Sequence, residues 1–384
     1  MFNVVCSTLE LNNMLSLARQ AAVSKVGSSL DGIQLVAKDN KLTIVSQGQS
    51  VTIACDINAT VLEEGTVIVP VMLADIVAKQ PGDQITIIQN DNRVIISGKT
   101  ANGRKTESKL SILDKPFISE KSPEDSQIVF SGDHTELASA LSLAQYAIST
   151  DENRIQLTGL LFEAEKGASQ ITSLDGFRMA NIPLKGTTTV PEGEKASGII
   201  PRKSVEILAK ISRNAAFGEN TVLSFSPNAC FAKCGEDIRF SSTLIVGEYI
   251  DYRRILPESF AVSAKMKKAD FVSALSRCAI FAHEGKNKII KLKFENDVCR
   301  LSASGMVGDI SDEVECEMDE KEKTLEIAFN SSYLNDSVKM AGDEFIVFKM
   351  NSPVKPVVIT DCQSTSTHLL LPTRVLEDTK IGAA

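Results

Sequence analysis

The 384-residue chain has no tryptophan, only three histidines, and aromatics at just 5% of its residues. His134, His283 and His368 stand at unrelated positions, which argues against a histidine-based triad and leaves few ligands for a metal. The phosphate loop G-x-x-x-x-G-K-[ST], a G-x-G-x-x-G, an H-E-x-x-H and a G-x-S-x-G are all missing. Asp175 in "SLDGFRMA" reads first as turn chemistry beside Gly176, and no partner makes it a catalytic carboxylate. No apolar run reaches the ~18 residues of a membrane span, and "MFNVVCSTLELNN" lacks a basic start followed by an apolar stretch. The expectation is therefore a cytoplasmic protein that is not an enzyme, holds no cofactor or metal, and has no membrane partner.

Eight cysteines, at positions 6, 55, 230, 234, 278, 299, 316 and 362, lie mostly within apolar runs and suit reduced, buried thiols. Cys230 and Cys234 have a C-x3-C spacing, but zinc would need two further ligands. The net charge of −8, taken alone, opposes binding to nucleic acid.

What the chain does have is a unit written three times. "LELNNMLSLARQ" (from Leu9), "TELASALSLAQ" (from Thr135) and "KADFVSALSRCA" (from Lys268) place Leu11, Leu137 and Phe271 alike, as they do Leu15, Leu141 and Leu275. Each helix-like stretch leads into strand-like alternation around a turn: Asp39-Asn40, Lys166-Gly167 and Asn296-Asp297 are hairpin dipeptides. A second helix follows, expected over 70–80, 201–213 and 330–340, with Pro70 and Pro201 in the first turn and Asn330 as a cap. A second hairpin closes each third. The fold class is α+β, with antiparallel sheets and two helices per unit. A period this long means duplicated domains rather than a solenoid, and boundaries are expected near 119–127 and 257–263, giving domains 1–122, 126–256 and 259–384. The six expected helices (8–21, 70–80, 133–147, 201–213, 265–278 and 330–340) carry eleven basic residues against seven acidic ones, leaving the rest of the chain acidic. Such a chain can present one basic face to phosphate.

"GLLFEAEKGASQITSLDGFRMA" (from Gly159), "GIIPRKSVEIL" (from Gly198), "GEYIDYRRILPE" (from Gly247), "IAFNSSYLNDSVK" (from Ile327), "SPVKPVVI" (from Ser352) and "LLLPTRV" (from Leu369) resemble the bacterial DNA polymerase III beta subunit family, the sliding clamps. The first third is similar more loosely, with "SSLDG" (from Ser28) where the family usually has Leu-Pro-Ile-Leu. The resemblance implies a processivity factor in which three similar domains per subunit, two subunits head to tail, close a ring around duplex DNA without reading its sequence. A clamp-like paralogue acting mainly as a protein scaffold is the alternative expectation. The resemblance also implies phosphate contacts from Arg19, Lys25, Arg154, Arg202, Lys203 and Lys210, and closure through Arg104 and Lys105 against Asp312 and Glu313, with Ile280 and Phe281 as apolar anchor. It implies a cleft in which the replicative polymerase, the clamp loader and repair proteins insert a short apolar motif. The matching positions are Leu157, Leu174, Gly176, Phe177, Arg178, Met179, Ile250, Arg254, Ile255, Asn330, Tyr333, Val354, Pro356, Leu369, Leu371, Pro372, Thr373, Arg374 and Val375. The chain departs from the family pattern at Phe177, often His, at Ile250, often Pro, and in the residues that follow Val375.

Overall fold

The computed structural model describes residues 2–22, 32–100, 102–120, 126–214, 220–284, 288–341, 344–362 and 366–374. Each third runs strand, helix, strands, helix, strands, and every strand pair given a register is antiparallel. The helices are α1 (Thr8–Ala22), α2 (Leu73–Val77), α3 (His134–Ala144), α4 (Arg202–Ser212), α5 (Lys268–Glu284) and α6 (Ser331–Met340). Their buried faces follow the repeat: Leu11 and Leu15, Leu137 and Leu141, and Phe271 and Leu275 are all inside. The hairpin dipeptides form two-residue turns. Asp39 (φ 50°), Asn40 (φ 56°), Asn296 (φ 52°) and Asp297 (φ 60°) take the left-handed conformation that such turns require and that short polar side chains tolerate.

Helix bounds differ from the expected ones in ways that matter for charge. Pro70 ends the strand Gly65–Pro70 instead of opening a helix, and α2 is a five-residue piece beginning at Leu73. Pro201 likewise ends a strand and sits at the N-cap of α4, where its fixed φ of −57° leads into the helix. Lys265 and Lys267 belong to the strand Val262–Lys267, and Lys79 and Arg213 lie beyond their helices. With these bounds the helices hold as many acidic as basic residues: Arg19, Arg202, Lys203, Lys210, Lys268, Arg277 and Lys339 against Glu10, Asp75, Glu136, Glu206, Asp270, Glu284 and Asp336. The expected helical surplus is gone.

The chain divides into two compact units, Met1–Leu141 with Phe162–Ser169 and Leu184–Val246, and Ser142–Leu161 with Gln170–Pro183 and Gly247–Ala384. In the first unit, strand Val51–Glu63 of the first repeat pairs with Ile238–Thr243 of the second, Ser241 opposite Thr52. This join is reinforced by Arg239, whose guanidinium bonds Asp56 at 2.7 and 3.2 Å and Glu120 at 2.8 and 3.2 Å. In the second unit, strand Arg178–Pro183 of the second repeat pairs with Thr367–Leu370 of the third, Met179 opposite Leu369. The same two strand positions thus join successive repeats twice. The strands left over, Lys105–Ser111 of the first repeat and Asp309–Glu315 of the third, are paired on one side only among the described residues.

Of the eight cysteines, seven are buried and Cys362 is exposed. Burial pushes the thiols of Cys6, Cys55 and Cys230 up to about 12 and those of Cys278 and Cys316 to about 11, so they remain protonated and unreactive. No helix among the described residues is long and apolar enough to cross a membrane.

Candidate functional site

The second unit contains a cavity of about 700 Å³, built where the turn after strand Ala168–Leu174 meets the last strand of the third repeat. Asp175 shapes that turn: its Oδ1 accepts the backbone N–H of Phe177 and of Arg178, both at 2.9 Å, while Gly176 supplies the positive φ of 93°. The turn lifts Phe177 into solvent, where it is 55% exposed, and the N–H of Leu371 donates to its carbonyl at 2.8 Å. Phe177 stacks on Tyr333 of α6, with centroids 5.5 Å apart.

Beneath that aromatic wall lies Arg178. Its Nε donates to Asp175 at 2.8 Å, its Nη1 to Asp336 of α6 at 2.6 Å, and its guanidinium lies 4.6 Å from the Tyr333 ring centre and 5.3 Å from that of Tyr146. Burial works against the charge, but the bonds to Asp336 and Asp175 outweigh it and raise the Arg178 pKa. Tyr146, pushed well up by burial, shares a 3.0 Å hydrogen bond with Nδ1 of His368, whose Nε2 has no partner among the described residues. Burial also lowers His368 to about 4, so its ring is neutral at physiological pH.

Ten of the expected cleft residues line this cavity: Leu174, Gly176, Phe177, Arg178, Ile250, Arg254, Ile255, Pro356, Leu369 and Leu371. The rest do not. Leu157 and Met179 are core residues, and Asn330 caps α6 by accepting the N–H of Ser332 at 3.0 Å and of Tyr333 at 3.3 Å. Tyr333 acts from behind Phe177. Val354 is exposed on its turn, and Pro372, Thr373 and Arg374 run on past the cavity, with the Thr373 N–H donating to Ala328 at 2.7 Å. Val375 lies outside the described residues, as does Lys25. The cavity also takes Leu256, Pro257, Glu258, Ser259, Asn351 and Lys355, which sequence reasoning missed. Leu256, Pro257, Glu258 and Lys355 lie inside the matched "GEYIDYRRILPE" and "SPVKPVVI", and Ser259 and Asn351 stand next to them, so membership of those segments was the signal.

The corresponding place at the first join is different. Gln47 stands where Leu174 does, by the common hairpin register, with Ser50 for Phe177 and Val51 for Arg178. A cavity of about 300 Å³ lies there, lined by Gly32, Gln47, Ile68 and residues 115–118. The Gln34 side chain both donates to and accepts from Ile118, at 3.1 and 2.6 Å, tying the connecting segment down. One join is open and apolar; the other is small and strapped.

Among the expected phosphate contacts, Arg19 pairs with Asp75 at 2.9 Å and Arg202 with Glu206 at 3.3 Å, both pairs half-exposed. Arg154 sits in the 3-10 segment Glu152–Thr158, and Lys203 and Lys210 are on α4, which packs against α1. Of the expected closure residues, Lys105 begins the one-sided strand of the first repeat and Arg104 immediately precedes it. Asp312 and Glu313 lie on that of the third, held by Arg277 at 2.6 Å and Arg300 at 2.6 Å. Ile280 is exposed, while Phe281 is partly buried against the core of the third repeat and meets Gly305 and Gly308 of the loop carrying Met306 and Val307.

Three segments match one family: residues 3–118 its N-terminal domain, 133–251 its central domain and 253–374 its C-terminal domain, each described as DNA polymerase III beta subunit. The chain is 28% identical over 362 residues to the beta sliding clamps of Staphylococcus epidermidis and Staphylococcus aureus, covering 90% of this chain and 92% of those proteins. Its fold is similar to the crystal structure of the Thermotoga maritima DNA polymerase III beta subunit, with a TM-score of 0.87 at 22% identity over 98% of this chain and 100% of that one. It is also similar to the Pseudomonas aeruginosa sliding clamp bound to griselimycin, with a TM-score of 0.86 at 22% identity over 97% of this chain and 100% of that one. With all three domains matched in order along nearly the whole chain, this protein belongs to the DNA polymerase III beta subunit family, the bacterial sliding clamps.

Proposed function

We propose that two copies of this chain close head to tail into a ring of six domains, bounded at 1–122, 126–256 and 259–384, that encircles duplex DNA in the cytoplasm. As a member of its family the chain is a DNA sliding clamp, a non-catalytic processivity factor of DNA polymerase III. Nothing in the comparisons favours the scaffold alternative. Phosphate contacts fall to Arg19, Lys25, Arg154, Arg202, Lys203 and Lys210. A topological tether needs such contacts to be weak, exposed and screened by salt, so ion pairs such as Arg19–Asp75 are no obstacle.

The carrying observation is the pair of one-sided strands. Hairpin registers make Thr52, Met179 and Asp309 equivalent, and likewise Ser111 and Thr243. Applying the first join, in which Ser241 faces Thr52, to the free edges sets Lys109 opposite Asp309 and Lys105 opposite Glu313 of a second copy. Unlike charges then meet across the pairing, and each copy offers one basic and one acidic edge, as heterologous closure demands. Ile280, Phe281, Met306 and Val307 supply apolar area beside the acidic edge.

The cavity of the second unit is read as the docking cleft for short apolar motifs of the replicative polymerase, the clamp loader and repair proteins, with its apolar floor and few fixed polar groups. Sedimentation velocity tests the closure. The native chain is expected to run as a dimer, Lys109→Asp as a monomer, and Lys109→Asp with Asp309→Lys as a dimer again; a monomeric native chain refutes the ring.

A further inference from the structure

Joins within a chain stay covalently connected, so a ring of two copies can part to admit DNA only at the closure between them. One residue position distinguishes that closure from the first join. At the first join Arg239 stands opposite Ala54, and its guanidinium reaches diagonally to Asp56 at 2.7 Å and to Glu120 at 2.8 Å. Both carboxylates come from the first repeat and the cation from the second, so the bonds cross the join. The registers that make Ser111 equivalent to Thr243 also make Glu107 equivalent to Arg239. Those that make Asp309 equivalent to Thr52 make Ser311 and Glu313 equivalent to Ala54 and Asp56.

Applied to the closure, these registers set Glu107 of one copy opposite Ser311 of the other, diagonal to Asp309 and to Glu313. All four side chains lie on exposed faces of their strands. A carboxylate therefore meets carboxylates where the first join has its bridging cation. Lys105 and Lys109, on either side, oppose Glu313 and Asp309 with the complementary sign; among the outward charges of that strand Glu107 alone does not. In the chain itself Glu107 pairs with Lys109 at 3.1 Å, engaging the ammonium that closure directs at Asp309. Arg300 likewise holds Glu313, from Nη2 at 2.6 Å and Nε at 2.9 Å. Both edges are partly neutralised before they meet, and the electrostatic gain on closing them is correspondingly small.

We propose that Glu107 is a release residue, a charge of opposing sign at the centre of the closure edge that keeps the ring openable, while Arg239 in the same place keeps the first join shut. This rests on the closure reading. Diagonal neighbours on paired strands are within reach of long side chains, and each such contact is modest, but a ring has two closures and feels the effect twice.

Sedimentation of a dilution series tests this through the dimer dissociation constant of the native chain, Glu107→Gln and Glu107→Arg. Glu107→Gln removes the repulsion and frees Lys109, and should lower the constant about three- to ten-fold at low salt. Glu107→Arg copies the chemistry of the first join and should lower it about ten- to a hundred-fold. The gain from Glu107→Arg should shrink when Glu313→Gln is added, as a contact across the closure requires. Loaded onto nicked circular plasmid, the Glu107→Arg ring should leave more slowly than the native one. A constant that neither substitution lowers overturns the release residue, as does a gain that Glu313→Gln leaves untouched. A native chain that is monomeric at every concentration overturns the closure itself.

Discussion

Acid should loosen the second join through one buried ring. His368 is fully buried in strand Thr367–Leu370, opposite Ala180, with Tyr146 on Nδ1 and, among the described residues, no partner on Nε2. Burial is the chief cause that lowers its pKa to about 4; Asp361 works in the opposite direction, and Lys268 adds slightly to the lowering. In the unfolded chain the same ring takes up a proton near the ordinary value of about 6.5. Above that pH neither state is charged, and His368 contributes nothing to pH dependence. Between about 6.5 and 4 only the unfolded state gains a proton, so folding stability falls by about 1.4 kcal/mol per pH unit, or about 3 kcal/mol across the window. The first join shows how to remove the effect. Phe240 occupies the corresponding place there, opposite Ile53, and is also buried. Urea denaturation followed by circular dichroism, for the native chain and His368→Phe at pH 7.0, 5.5 and 4.5, isolates the contribution. Carboxylates such as Asp56 titrate equally in both proteins. The native chain is expected to lose about 2–3 kcal/mol more than the variant between pH 7 and 4.5. Parallel losses would refute a neutral, buried His368.

Replacing Arg178 by Met removes the cation shared by Asp175 and Asp336 and should cost about 2–4 kcal/mol of stability, measured by the same denaturation. Leu371→Lys puts an ammonium on the cleft floor and should abolish binding of an apolar motif peptide, measured by fluorescence polarisation, while sedimentation still shows a dimer. Charge reversal at Arg202 and Lys203 should weaken association with duplex DNA more at low than at high salt in electrophoretic titrations; an unchanged salt dependence would remove them from the DNA-facing surface.

The architecture was readable because the repeat carries its own punctuation. Asp39-Asn40 and Asn296-Asp297 fix two-residue turns through backbone conformations that few residues accept, so the hairpins follow from local chemistry. Helix ends were less readable. Pro70 suits the residue before a helix or the end of a strand equally well, and here the strand Gly65–Pro70, hydrogen-bonded to Gly32–Lys38, takes it. Lys265 and Lys267 alternate with Ala264 and Met266, a strand period that a helical reading of 265–278 overlooked. That error mattered, since these cations produced part of the apparent helical surplus. In the cleft, motif residues were legible where the backbone turn itself makes the site, as at Asp175 to Arg178. Leu157 and Met179 belong to the same motifs but face the core, and facing is set by tertiary packing rather than by the motif. Ser259 and Asn351 were invisible for the opposite reason: they line the cavity only because two segments distant in sequence meet there, the Asn351 amide donating to the Ser259 carbonyl at 2.6 Å.

The most direct test of closure joins the predicted edges covalently. In a chain carrying Lys109→Cys and Asp309→Cys, with exposed Cys362 replaced by Ser, oxidation is expected to give disulfide-linked dimers. When oxidised after loading onto nicked circular plasmid, these dimers should stay with the circle through high salt and leave once it is linearised. Absence of cross-linking, or equal loss from circular and linear DNA, would contradict a closed ring joined at these strands.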